Sequence, residues 1–186
     1  MVSMSLLGFI PLVLTEHAPG GSIYTVHELS NTLTQQLLPP LGQSGSAALI
    51  ANISTLPPVI PAGSAQYYGA AELVISPPSR SSTQRYLYAS NRNVSPSPSL
   101  LDPLGDTIAI FALYPKLHLV KQVHTGLQQI RGMTLGGGPE GAYIAAAGKE
   151  GGGVVVYERT AGGADLKQVA RYNGTGTTEV SSFVWL

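Results

Sequence analysis

The chain has 186 residues, with ten basic side chains balanced by ten acidic ones, and no cysteine. A formal charge of zero gives no global field to draw it to nucleic acid or to an anionic membrane. The missing thiols exclude a disulfide framework, a cysteine nucleophile and a cysteine-based zinc site. Only 11% of residues are charged while 22 are glycine and 14 are proline, a balance that favours a turn-rich, all-β domain.

In chain order, Met1–Leu14 is apolar but lacks a basic leading region and is interrupted by Pro11, so a cytoplasmic location is expected rather than secretion. The sequons at Asn52, Asn93 and Asn173 would matter only on a secreted chain. No apolar run is long enough to span a bilayer.

From residue 22 onward a repeat emerges at a spacing of roughly sixty residues. Ser22–Leu29, Arg85–Arg92 and Ala142–Lys149 read as strands that superpose on Tyr24, Tyr88 and Ile144. Each is followed by a second run rich in β-branched and aromatic residues: Asn31–Gln36, Asp106–Phe111 and Gly153–Tyr157. Two units continue into a polar, alternating strand, Leu117–Val123 and Leu166–Arg171, as expected of half-exposed outer strands. Ala70–Ile75 and Arg131–Leu135 supply the opening strands of the second and third units.

Four-stranded units repeated about an axis are the blades of a β-propeller. The expected fold is therefore all-β: one domain over 1–186 holding a partial propeller of about three blades, 8–60, 61–126 and 127–175, plus one extra strand at 178–186. Three blades do not close a ring of four to eight, so the chain reads as incomplete. A stand-alone β-sandwich is the alternative, but it does not account for the long-period alignment.

The order and spacing of Tyr24–Leu29, Tyr86–Arg92 with Gly105–Phe111, Thr125-Gly126, Arg131–Met133 and Tyr157–Arg159 resemble the C-terminal part of the seven-bladed lactonase propellers. That family includes bacterial 6-phosphogluconolactonases and fungal carboxymuconate cyclases. The resemblance covers the chain from about residue 20 onward. It implies activity on a small anionic lactone or a carboxymuconate-like dicarboxylate, with no obligatory metal or cofactor and no nucleic-acid or membrane partner. The family's Pro-Arg-His motif has no counterpart at Gly8–Leu14. Either it has been lost or residues 1–14 are a non-native start, and the second reading is preferred because the upstream blades are absent as well.

Lactone chemistry needs a group that moves a proton and cationic groups that hold an anionic substrate. Glu28 and Arg92 occupy matching places in adjacent units, 64 positions apart, and the resemblance puts an acid and an arginine there in the active cleft. Glu28 is expected to act as general base and Arg92 as a carboxylate or phosphate clamp. The alternative is a salt bridge between blades. Arg131, at the start of the third unit's inner strand, would add to the clamp. Glu72 and Glu179 fall near the corresponding points of their inner strands, where they would ring the channel or hydrogen-bond backbone. His27 precedes Glu28 and so faces the other side of its strand; it is a substrate-binding candidate whose default is a structural role.

His17, His118 and His124 lack metal-ligand spacing and are expected at the surface. The glycine clusters Gly136–Gly141 and Gly151–Gly153 lack the strand, spacing and helix of a phosphate loop and read as inter-strand turns. Two functions follow from the sequence. One is a lactonase or lactonising cycloisomerase, with the residues leaving hydrolysis and cyclisation open. The other is a non-catalytic propeller fragment or interaction scaffold, whose exposed blade edges would favour self-association.

Overall fold

The computed structural model describes residues 12–15, 21–40, 42–77 and 83–177, together with 179, 180, 182, 184 and 185, the backbone alone being given for 12–15. Three four-stranded antiparallel sheets follow one another along the chain, each a simple meander. The first comprises β1 (Leu12–Thr15), β2 (Ser22–His27), β3 (Thr32–Leu37) and β4 (Ala48–Ser54). The second comprises β5 (Tyr68–Ile75), β6 (Tyr86–Asn93), β7 (Thr107–Ala112) and β8 (His118–His124). The third comprises β9 (Gln128–Gly136), β10 (Tyr143–Gly151), β11 (Val154–Thr160) and β12 (Asp165–Tyr172). The repeat read from the sequence is thus the meander itself. Two strands escaped it: β4 closes the first sheet, and β1 pairs with β2 from within the segment read as non-native.

The second blade explains its own composition. All of β6 and β7 is buried, because this blade is sandwiched between two others. On β7, Ile108, Ile110 and Ala112 join Tyr86 and Tyr88 in a core shared with Leu127, Ile130, Ile144, Val155 and Tyr157 of the third blade. The intervening Ala109 and Phe111 join Leu87 and Ala89 in a core shared with Tyr24, Val26 and Leu33 of the first. With both faces covered, residues 86–89 of β6 and 108–112 of β7 are apolar, while the buried polar end of β6 at 90–93 is met by hydrogen bonds and the Glu28 ion pair; the outer β8 and β12 alternate or are largely exposed.

Of the extra strand expected at 178–186, residues 179, 180, 182, 184 and 185 are described. They form no strand. Glu179 therefore does not lie on an inner strand: it is exposed, and its N–H donates to the carbonyl of Lys149. Trp185 packs instead over Gly136 and Gly137, with its ring 6.5 Å from that of Tyr143. A β-carbon on Gly136 would stand 2.2 Å from the indole, so only glycine admits this contact. The remaining glycine-rich stretches are turns: β9–β10 at 137–142 and β10–β11 at 152–153, with positive φ at Gly137, Gly138, Gly141, Gly152 and Gly153. Among the described residues no helix is long and apolar enough to cross a membrane.

Candidate active site

β2 ends at His27, β6 at Asn93, and β5 and β9 begin at Tyr68 and Gln128, so these strand ends lie on one face of the assembly. Glu28 follows β2 in the turn to β3, and Arg92 lies near the end of β6. Across the junction of blades one and two the Arg92 Nη2 donates to Glu28 Oε1, an ion pair between residues 64 apart. The Arg92 side chain is 5% exposed and that of Glu28 25%, so the carboxylate is the member that solvent reaches.

Gly69 leaves room beside the pair. It stands opposite Arg92 in the β5–β6 ladder. A β-carbon there would meet Glu28 Cγ at 3.3 Å and Arg92 Nε at 3.6 Å. The guanidinium is only half satisfied, since its buried Nε has no hydrogen-bond partner among the described residues. A buried cationic donor left open costs free energy unless something occupies it.

Glu72 and Arg131 belong to the same electrostatic neighbourhood. A bulge in β5 between Ala70 and Leu73 breaks the ladder, and the Glu72 N–H is satisfied by the Ser90 hydroxyl. Burial pushes the Glu72 carboxyl above its usual range, while Arg131 and then Arg92 pull it back. Arg131 itself is exposed on β9. The structure thus gathers Glu28, Arg92, Glu72 and Arg131 into an alternating set of charges, two acids and two guanidinium groups, drawn from all three blades.

His27 stands apart from this set. Its Nε2 shares a hydrogen bond of 3.0 Å with Thr34 Oγ1 on β3. His118 Nδ1 lies 2.8 Å from the Lys116 carbonyl and His124 Nδ1 3.7 Å from Asp102, while His17 lies outside the described residues. Among the described residues no cluster of three or more His, Cys, Asp or Glu side chains is placed to hold a metal.

Sequence reasoning passed over Asp106. It is 4% exposed, its Oδ1 accepts the Asn93 N–H at 2.9 Å and its Oδ2 the Ile130 N–H at 3.0 Å, and the Gln129 N–H adds a third bond. Burial pushes its pKa up to about 6, against the pull of those N–H groups and of Arg92. Asp106 fixes the end of β6, on which Arg92 rides, to the start of β9, which carries Arg131. Its sequence signal is slight: a lone acid just ahead of Thr107 and the apolar run 108–112.

The comparisons with known proteins bear on this arrangement. A family model described as "Lactonase, 7-bladed beta-propeller" matches residues 14–182. The chain belongs to the seven-bladed lactonase propeller family. Solved structures agree on the fold. A Lactobacillus plantarum protein superposes with a TM-score of 0.62 at 21% identity, over 87% of this chain and 40% of its own. The periplasmic gluconolactonase PpgL of Pseudomonas aeruginosa gives 0.59 at 17% identity, over 84% of this chain and 38% of its own. A Bacteroides uniformis protein provisionally described as a 6-phosphogluconolactonase gives 0.55 at 26% identity, over 79% of this chain and 35% of its own. The chain therefore spans well under half the length of these propellers. No curated protein matches it.

Proposed function

We propose that this lactonase-family chain contributes the Glu28–Arg92 half of an active site that opens a small anionic sugar lactone, such as 6-phosphogluconolactone. The observation that carries the reading is the state of Arg92: buried, paired with Glu28 through Nη2, and with an unoccupied Nε. A guanidinium with one edge anchored and one donor open is suited to receive a substrate carboxylate or phosphate oxygen. Glu28, the solvent-reachable partner, takes the proton from a water as that water's oxygen bonds to the lactone carbonyl carbon. Collapse of the tetrahedral adduct breaks the ring C–O bond, and Glu28 returns the proton to the departing alkoxide. Arg131 and Arg92 supply positive charge toward the anionic substrate, with Glu72 setting their spacing.

Lactonisation of a carboxymuconate-like diacid would use the same clamp and the same proton-transfer group. The test is acid release from 6-phosphogluconolactone by the protein and its Glu28→Gln variant. Turnover reduced by about 10²–10⁴-fold supports the general-base role, and unchanged turnover removes it. The other reading, a non-catalytic propeller scaffold, draws on the same ion pair as a strut between blades. It predicts that Glu28→Gln lowers the melting temperature while no lactone is turned over by the parent protein.

A further inference from the structure

The opposite face of the same blade junction holds a second, separate feature. Between the first and second blades, at the end where β2 and β6 begin, lies a cleft of about 290 Å³. Tyr24, Leu113 and Leu117 form its apolar part, and Arg85, Tyr114 and Lys116 bring polar groups to it. The size lies at the lower edge of the range for small-molecule sites, about 300–1,000 Å³.

Arg85 sets this cleft apart from an ordinary packing gap between blades. The residue is only 7% exposed. Its Nε donates to the Ser76 carbonyl at 2.9 Å, which fixes the plane of the guanidinium. Its own backbone is pinned as well, the Arg85 carbonyl accepting the Leu113 N–H. Among the described residues it forms no ion pair, and the titratable groups that act on it are the phenols of Tyr24 and Tyr114. Burial accordingly lowers its pKa from the ordinary arginine value. Lys116, exposed at the rim, adds a second cation, and among the described residues no carboxylate lines the space. An arginine held in one plane, largely withdrawn from water and with no counter-ion among the described residues favours an anion that completes it.

We propose that this cleft is a binding site for a small organic anion, an aromatic or compact aliphatic carboxylate whose charged end meets Arg85 and Lys116 while its apolar body lies against Tyr24, Leu113 and Leu117. The site stands on the face opposite Glu28 and Arg92, so it is distinct from the proposed lactone site and does not depend on it. A ligand there bridges β2 of the first blade with the β7–β8 turn of the second, and would stiffen the junction that also carries the Glu28–Arg92 pair.

The experiment is an amide NMR titration of the ¹⁵N-labelled chain with benzoate, with benzamide as its neutral isostere and with inorganic phosphate. Benzoate is expected to shift the amides of Tyr24, Leu113 and Leu117 saturably, benzamide and phosphate at least about tenfold more weakly. Arg85→Met should weaken benzoate by a similar factor. Because Arg85 is buried and that variant could misfold, Lys116→Glu at the exposed rim provides the independent check, with affinity reduced several-fold. Glu28→Gln should leave the titration unchanged. Equal binding of benzamide and benzoate, or Lys116→Glu binding as tightly as the parent, would overturn the proposal. So would shifts that map to Glu28 and Arg92, or no saturable shift at all. Phosphate binding as tightly as benzoate would also overturn it, since the apolar wall would then contribute nothing.

Discussion

The junction of blades one and two and the junction of blades two and three are built from the same meander, yet they treat their polar groups in opposite ways. Between two and three, the polar contacts are closed. Asp106 accepts three N–H groups, and Tyr88 donates to the Gly163 carbonyl at 2.8 Å while accepting from Arg159 Nε at 2.8 Å. Arg171 reaches the Thr125 and Gly152 carbonyls, and Lys121 pairs with Asp165 at 2.6 Å. Between one and two, among the described residues, Arg92 keeps an open Nε, Asn31 and Asn91 each keep an unpartnered side-chain oxygen, and Arg85 has no counter-ion. Both junctions bury substantial apolar cores. The difference therefore lies in polar satisfaction and not in packing. Satisfied groups rigidify an interface, and groups left open at a solvent-reached face are where a ligand gains most.

That contrast can be broken or sharpened by substitution, beginning with the largest effect. Arg92→Ala is expected to lower kcat/KM for 6-phosphogluconolactone by about 10²–10³-fold. If it moved only the melting temperature, junction one–two would be a strut like its neighbour. Asp106→Asn should next cost about 2–3 kcal/mol in denaturant unfolding, because its amide NH₂ would face backbone N–H donors.

The same residue makes a pH prediction. Its folded pKa, about 6, lies above the unfolded carboxylate value, so the folded state binds the proton more tightly. The contribution is fully present below about pH 4 and is lost as pH rises through about 6, a change on the order of 2 kcal/mol. Asp106→Asn should abolish that slope and be more damaging at pH 5 than at pH 8. A carboxyl ¹³C titration midpoint near 4 would contradict the assignment.

Tyr88→Phe removes one donor and one acceptor at junction two–three and should cost about 1–2 kcal/mol with little effect on turnover. Lys121→Ala, which breaks an exposed pair, should cost no more than about 0.5 kcal/mol. A comparable loss of turnover in either variant would mean that the two junctions do not divide the work as described.

Much of the fold was legible because strand periodicity is local information. The alignment on Tyr24, Tyr88 and Ile144 falls on residues that are all buried in the second strands of their blades. Burial on both faces has its counterpart in the apolar runs at 86–89 of β6 and 108–112 of β7, whereas the buried polar end of β6 at 90–93 does not show it. What escaped was local too: β4 is largely exposed and its residues gave no core pattern. For the site, Glu28 and Arg92 came from matching positions in adjacent repeats, whereas Gly69, which makes room for them, has no signature of its own. Asp106 was hidden because its partners are backbone N–H groups, which sequence does not display.

Blade and repeat were readable from the residues alone, since both rest on side-chain spacing within some sixty residues, and the family entered as a resemblance of motifs spread from Tyr24 to Arg159. The sequence also put the acid and the arginine at matching blade positions. Only the tertiary structure decided which charges are compensated. Compensation depends on which strand ends stacking brings together: Arg92 meets Glu28 beside Gly69, Glu72 feels Arg131 and Arg92, and Arg85, similarly buried, meets no acid among the described residues. Electrostatic pairing is a property of distance through space, and 64 residues of chain separation carry no information about it until the blades are packed.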